Sequence, residues 1–379
     1  MKTIAIIGWY GTETIGDRGI LAGLIYLLSK SNKSFIIRIG SLYPFFTERT
    51  VIEDYDFLLK ISNGALEKIE IFNSTMIREI QKNIKSSDLL IFGGGPLMDI
   101  PYLYMMEYAF KYANKVNVKT AILGCGVGPL CDLNLRKSVL NIVELSDVVV
   151  FRDQLSLNEY HNLGGKKECN AIIDPAFFAA VYYKKQLKTE NPKEKIVINF
   201  RDAHKDSPND NTEQYRSFFV KLLKSISNFD GSPIILIPMH TFVVGHDDRY
   251  FLNEISAEVN SSHISVQNNP LSLEETMGMY HDAKFCIGMR FHSVLLQTIL
   301  NGNNIILDYT DPNKGKTIGF IKQIKADSYY NEERYLSLLN DSLNDSFVNL
   351  ISNSNTFILD DMLIDSFQER YVSLINKII

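Results

Sequence analysis

Arg290 and His292 set the chemical possibilities of this chain. In Phe285-Cys-Ile-Gly-Met-Arg-Phe-His-Ser293 an apolar run breaks at Gly288, and a guanidinium and an imidazole stand just beyond the break. Arginine grips phosphate or carboxylate through parallel hydrogen bonds, and histidine exchanges a proton near neutral pH. The placement recurs. Lys195-Ile-Val-Ile-Asn-Phe-Arg201 ends in a guanidinium, Pro233-Ile-Ile-Leu-Ile-Pro-Met-His240 ends in an imidazole, and Asn304-Ile-Ile-Leu-Asp-Tyr309 is followed by Lys314 and Lys316. Each residue alone reads as a surface charge. Repetition at the ends of successive apolar runs points to one rim that holds an anion.

The first half of the chain offers glycine at the same places. Gly8, Gly11 and Gly16 precede Asp17; Gly93, Gly94 and Gly95 end an apolar run and are followed by Pro96 and Asp99; Gly124, Gly126 and Gly128 end another. Glycine lets backbone N–H groups approach a ligand closely, although close packing of strand on helix calls for it too. Asp17 reads as a helix N-cap or as a site carboxylate. Arg152, after Asp147-Val-Val-Val-Phe151, reads as a ligand group or as the ion-pair partner of Asp153.

Stepping from apolar run to turn to helix is the habit of open α/β sheets, which place their chemistry at the carboxyl ends of strands. The runs lack alternation, as parallel strands covered on both faces do. The expected fold is α/β, with two Rossmann-like parallel-sheet domains facing a cleft in the GT-B-like manner. Residues 1–182 form the first domain, 195–330 the second, and 331–379 C-terminal helices that pack on or across the two. The charged stretch Tyr182–Lys195, with Pro192, is the expected linker, and the region from residue 40 to Ile84 gives mixed signals.

With 379 residues, two domains are expected. Apolar content of 45% and charged content of 22% belong to a soluble globular protein. A net charge of −5 leaves no basic footprint for nucleic acid, and no apolar run is long enough to span a bilayer. Met1–Gly8 reads as a core strand rather than a signal peptide. Cys125, Cys131, Cys169 and Cys286 lie far apart, as reduced cytosolic thiols do. His240, His246, Asp247 and Asp248 come nearest to a metal set but match no known ligand spacing, so neither metal nor cofactor is expected.

The ordered set of motifs is similar to that of the polysaccharide pyruvyl transferase family. It comprises the Gly-rich loop Gly8 to Asp17, Gly93–Gly95, Gly124 to Pro129, Arg152-Asp153, Asp174-Pro-Ala176 and Met289-Arg-Phe-His292. The resemblance implies transfer of the enolpyruvyl-derived group of phosphoenolpyruvate onto two hydroxyls of a sugar in a cell-surface polysaccharide or its precursor. The products are a cyclic ketal and phosphate. Phosphoenolpyruvate is then the co-substrate, and the acceptor a nucleotide-linked or lipid-linked saccharide reached from the cytoplasm, the inner membrane face included. On this reading Arg201 and Arg290 clamp phosphate and carboxylate in the second domain, with Lys314 or Lys316 assisting. His292 or His240 is the general acid, and Asp17 or Asp99 takes the acceptor's proton. Gly93, Gly94, Gly95, Gly126 and Arg152 face substrate, and the first domain takes the acceptor.

Two places depart from the family pattern. Thr14-Ile-Gly-Asp-Arg-Gly19 replaces Asn-x-Gly-Asp-x-Ala, which adds Arg18, and the Tyr-x-x-Lys pattern is altered after Tyr309. Two other functions fit the same elements. One is a nucleotide-sugar glycosyltransferase, with Asp308 holding the donor ribose; the other is a non-catalytic relative.

Overall fold

A computed structural model describes the chain except residues 32, 188–192, 203–211, 243–245, 311–314, 339–344 and 353–354. Pro192 and Lys314 therefore lie outside the described residues. The chain divides into one unit of Met1–Tyr182 with Asp360–Ile379, and a second of Tyr183–Leu359.

The first unit is built on seven strands: β1 (Lys2–Ile7), β2 (Phe35–Ser41), β3 (Leu66–Asn73), β4 (Leu89–Phe92), β5 (Lys119–Cys125), β6 (Val148–Phe151) and β7 (Asn170–Ala171). They pair in the order β3-β2-β1-β4-β5-β6-β7, all parallel. Every residue of β4 and β6 is buried, as a sheet sandwiched between helix layers requires. The mixed region resolves into a helix at Pro44–Ile61, strand β3 and a helix at Ile77–Lys85. Two consecutive exposed charges, Glu67 and Lys68, break the alternation expected of a strand and hide β3 in the sequence.

The second unit holds β8 (Ile196–Asn199), β9 (Ile234–Leu236), β10 (Ile264–Val266), β11 (Phe285–Gly288), β12 (Asn304–Asp308) and β13 (Tyr335–Ser337). They pair in parallel in the order β10-β9-β8-β11-β12-β13. Each sheet thus reverses its winding direction once, between β1 and β4 and between β8 and β11. Loops leaving those strands diverge to opposite faces and open a crevice, where open α/β sheets bind ligands.

Two expectations need correction. The segment from residue 331 is not a helical layer throughout. Tyr335–Ser337 adds β13 to the second sheet, and among the described residues the one long α-helix there is Asp361–Ile375, which belongs to the first unit. The expected linker also starts inside a helix, Ala176–Gln186, whose last turn carries Lys184 and Lys185.

Candidate functional site

At the switch point of the second sheet the chain leaves β11 through Gly288. A Cβ there would lie 2.7 Å from Gln297 Oε1 on the helix Phe291–Leu300, so glycine lets the turn fold back onto that helix without displacing the Gln297 side chain. Arg290 is that helix's N-cap, in extended conformation, and His292 is its second residue. The first N–H groups of such a helix favour an anion. Asn199 at the end of β8 is fully buried. Its Oδ1 accepts from the Arg290 backbone N–H at 3.1 Å, and its Nδ2 donates to the Ile237 carbonyl at 2.9 Å. One amide therefore fixes the ends of β8, β9 and β11 together.

Asp248 does the same for charge. Its carboxylate accepts the backbone N–H groups of Met239 and His240, each at 3.1 Å, and Nε of Arg290 at 2.8 Å. Nη2 of Arg290 binds the other oxygen, making a two-pronged grip. Asp248 is buried and Arg290 partly exposed. His240, also buried, is held by its backbone to the same carboxylate and by its own carbonyl to the Asp248 N–H at 3.0 Å.

A second cation enters from β8. Arg201 Nη1 donates to the Tyr309 hydroxyl at 2.9 Å, and its guanidinium lies 4.9 Å from the ring centre. Burial pushes the Tyr309 phenol up, but the charges of Lys316, Arg201 and Arg290 and the Arg201 hydrogen bond outweigh it, and the net shift is downward. Three cations from three loops thus act on one phenol. Within the second unit the structure brings together Arg201, Arg290 and Lys316, with His292 on the helix that Arg290 caps and His240 tied through its backbone to Asp248.

Asp308 is otherwise engaged. One oxygen accepts the Thr310 N–H (2.8 Å) and hydroxyl (2.6 Å), and the other accepts the Tyr335 hydroxyl. Asp247 caps the helix Asp248–Val259 and pairs with Arg249, while His246 is exposed. No group of three or more His, Cys, Asp or Glu able to hold a metal occurs among the described residues.

In the first unit the glycines serve close packing. A Cβ on Gly8 would lie 2.8 Å from Gly94 Cα, on Gly93 2.4 Å from Leu24 Cδ1, and on Gly95 2.4 Å from Trp9 Cδ1. Trp9 Nε1 donates to the Pro96 carbonyl at 2.7 Å and the Tyr10 hydroxyl to that of Gly93, stitching the two loops. Gly126 leaves room for Arg152, whose Nη2 would sit 2.5 Å from a Cβ there. Arg152 is buried, with Nε 3.3 Å from Asp153 and Nη1 3.9 Å from Asp174. Asp99 accepts the N–H groups of Cys131 and, at 3.2 Å, Asp132, so it holds the loop after β5.

Asp17 is not the N-cap. Thr14 caps the helix Ile15–Ser29, accepting the Asp17 N–H at 3.1 Å, and its hydroxyl donates to Asp17 Oδ2 at 2.7 Å. Cap and carboxylate lock each other, because Asp17 is the third helical residue. Arg18 turns to the helix Pro44–Ile61, where Asp54 grips it at 2.5 Å and Glu53 at 3.1 Å. Glu13, which the sequence did not single out, lies beside Asp17 with its carboxylate on Arg49. Its partner stands 36 residues away, so no local spacing could have marked it.

Residues 15–312 match the family model described as Polysaccharide pyruvyl transferase. No curated protein matches the chain by sequence. Among solved structures the chain is similar to the UDP-GlcNAc 2-epimerase of Methanocaldococcus jannaschii, with TM-score 0.60, 13% identity and all of both chains covered. It is similar to the Neisseria meningitidis UDP-GlcNAc 2-epimerase bound to UDP-GlcNAc, at TM-score 0.54 and 12% identity over 100% of this chain and 96% of that one. It also resembles Anabaena Alr3699/HepE in complex with UDP, at TM-score 0.52 and 10% identity over 100% and 93%. At such identities the likeness is one of fold: two parallel-sheet α/β domains of the GT-B kind.

Proposed function

Because the chain belongs to the polysaccharide pyruvyl transferase family, whose members are transferases, we propose that it moves the pyruvyl group of phosphoenolpyruvate onto two hydroxyls of a saccharide in a surface polysaccharide or its precursor. The observation that carries the reading is Arg201 hydrogen-bonded to Tyr309 and set beside its ring, with the charges of Lys316 and Arg290 favouring the same phenolate. A small trianion with phosphate and carboxylate at its two ends calls for several cations in a confined space. A helix N-terminus beside them adds to the same field.

Chemically, His292 or His240 delivers a proton to the methylene carbon of phosphoenolpyruvate, and positive charge develops at the carbon bearing the phosphate ester. A sugar hydroxyl adds there and loses its proton to a carboxylate. The carbon–oxygen bond to phosphate then breaks, and the second hydroxyl takes its place with loss of its own proton. One cyclic ketal and one phosphate result. Arg201, Arg290 and Lys316 hold the anion throughout and stabilise phosphate as it leaves. The strand ends of the first unit are assigned to the acceptor.

A nucleotide-sugar donor would need a carboxylate for its ribose, and the engagement of both Asp308 oxygens argues against that use. The test is phosphate release from phosphoenolpyruvate with a panel of nucleotide-linked and lipid-linked sugars. Acceptor-dependent release is expected, lost in His292→Ala and reduced in Arg290→Lys, which keeps charge for Asp248 but not the fork. Absence of release with every acceptor, together with calorimetric binding of a UDP-sugar but not of phosphoenolpyruvate, would overturn it.

A further inference from the structure

We infer that the carboxyl edge of the first sheet docks on an anionic lipid bilayer surface, through apolar side chains that open four successive helices. Nothing in this surface depends on the pyruvyl chemistry above.

A helix that follows a parallel strand starts at that strand's carboxyl end. The helices Pro44–Ile61, Ile77–Lys85, Leu103–Lys115 and Leu133–Glu144 therefore start along one edge, after β2, β3, β4 and β5. Phe45 is the second residue of the first, and Ile77 opens the second behind its N-cap Met76. Tyr104 is the second residue of the third, and Leu133 opens the fourth. All five are between 48% and 75% exposed. With strands about 4.8 Å apart, they span about 19 Å of the edge. Apolar residues scattered singly on a surface need no explanation, but the same place taken by four helices in a row does.

Local stability works against this pattern. Ser, Thr, Asp or Asn normally caps a helix, as Thr14 and Asp132 do in this unit. The first three of the four helices have Tyr43, Met76 and Tyr102 at the N-cap instead. Among the described residues, none of those three side chains accepts from its helix. A local rule broken at one edge, with no local compensation, marks a surface kept for a partner.

Charge selects the partner. The whole chain carries −5. Yet Ile77–Lys85, Leu103–Lys115 and Leu133–Glu144, which pack side by side, hold seven Lys and Arg against three Glu. Arg78 and Lys137 are exposed, one residue after Ile77 and one turn after Leu133. Asp132, at the same edge, is occupied in capping. Helix N-termini add partial positive charge along the edge. An anionic bilayer answers both features, its headgroups meeting the cations and its acyl chains the apolar tips. A second copy of the chain answers them poorly, because like charge would meet like. Five such side chains also expose only several hundred Å², short of the ~800 Å² per partner that a stable protein interface buries. Past its first turn the helix Pro44–Ile61 has two basic residues against four acidic ones, so the bilayer meets only its tip and leans to the cationic flank.

The test sediments the full chain with vesicles of phosphatidylcholine alone, or of equal parts phosphatidylcholine and phosphatidylglycerol. Binding to the anionic vesicles is expected, weakened in molar salt, where screening acts within about 3 Å. Phe45→Ser combined with Leu133→Ser should lower the partition roughly tenfold or more, as removal of two apolar side chains from lipid does. Arg78→Glu combined with Lys137→Glu should erase the preference for anionic lipid. Tyr250→Ser removes an equally exposed aromatic from the second unit and should change nothing. Thermal melts of all variants should match the native chain, since every substituted side chain is exposed. Absence of binding to either vesicle, or a loss equal in Tyr250→Ser, would overturn the inference. So would a dimer in sedimentation equilibrium that the Phe45 and Leu133 substitutions dissolve, which would assign the edge to a second copy. Phosphoenolpyruvate takes no part in the measurement, so either failure leaves the pyruvyl reading untouched.

Discussion

Tyr309 and Asp248 hold opposite ends of the same electrostatic arrangement. Burial would keep the Tyr309 phenol protonated, yet the charges of Lys316, Arg201 and Arg290 prevail and favour the phenolate. Tyrosines 10, 26, 160, 183, 215, 280, 329, 330, 335 and 371 shift the other way, with burial the leading cause. In an ultraviolet titration Tyr309 is therefore expected to ionise ahead of them, and Tyr309→Phe to remove that first step. Its folded pKa lies below the unfolded one, so the associated stability is lost as pH falls through the folded value. That stability grows as pH rises through the folded value and is complete above about 10, the unfolded tyrosine pKa. Phosphoenolpyruvate, by neutralising the three cations, should move the step to higher pH. An ionisation unaffected by Arg201→Ala would contradict the assignment. Asp248 is the counter-charge. Removing it in Asp248→Ala strands Arg290 and two backbone N–H groups, and should lower unfolding free energy by about 3 kcal/mol, measurable by urea denaturation. Phosphoenolpyruvate affinity should fall with it, because the Arg290 fork loses its orientation.

At the scale of elements, each switch point is held by a different device. In the second sheet the buried amide of Asn199 joins three strand ends. In the first, two glycine loops meet backbone to backbone under Trp9 and Tyr10. Gly95 is constrained twice, by φ 68° and by Trp9 against its Cβ direction. Gly95→Ala should cost roughly 1–3 kcal/mol from the backbone alone, more once Trp9 is displaced, and tryptophan fluorescence should report the displacement. Loss of the Thr14 cap in Thr14→Ala should cost about 1 kcal/mol and free the Asp17 carboxylate from its nearest hydroxyl. Retention of full stability in either variant would show that these loops do not depend on the packing described.

On the scale of the whole molecule, two units with separate cores share one chain that returns at its end to the first. The helix Asp361–Ile375 buries Ile364, Phe367, Tyr371 and Ile375. Phe367 meets Phe177 edge-on, and the Tyr371 hydroxyl donates to the Ile173 carbonyl. A chain ending at Leu359 should therefore lose stability in the first unit alone. Hydrogen exchange should rise in β5 and β7, which flank that contact, and stay unchanged in β8 to β12. Equal loosening of both sheets would contradict the assignment of this helix. No helix among the described residues is long and apolar enough to cross a membrane.

Sequence alone determined what is local. Apolar runs ending at Gly8, Gly93, Gly124, Asn199 and Gly288 marked parallel strands and the ends that matter, because strand period and chain-breaking glycine act within a few residues. Arg201 and Arg290 were legible for the same reason: each stands two residues past the end of its strand. Tertiary structure decided what each charge faces. Arg290 is gripped by Asp248, 42 residues away, Arg18 by Asp54 and Glu13 by Arg49, each 36 residues away. Such pairings depend on which loops the sheet order sets side by side, and spacing along the chain does not encode that. For the same reason the Tyr335–Ser337 strand passed for helix, its partner β12 being what makes it a strand. The glycines read as ligand-facing also stand where two loops touch, and a missing Cβ looks the same in sequence whether a ligand or a tryptophan fills the space.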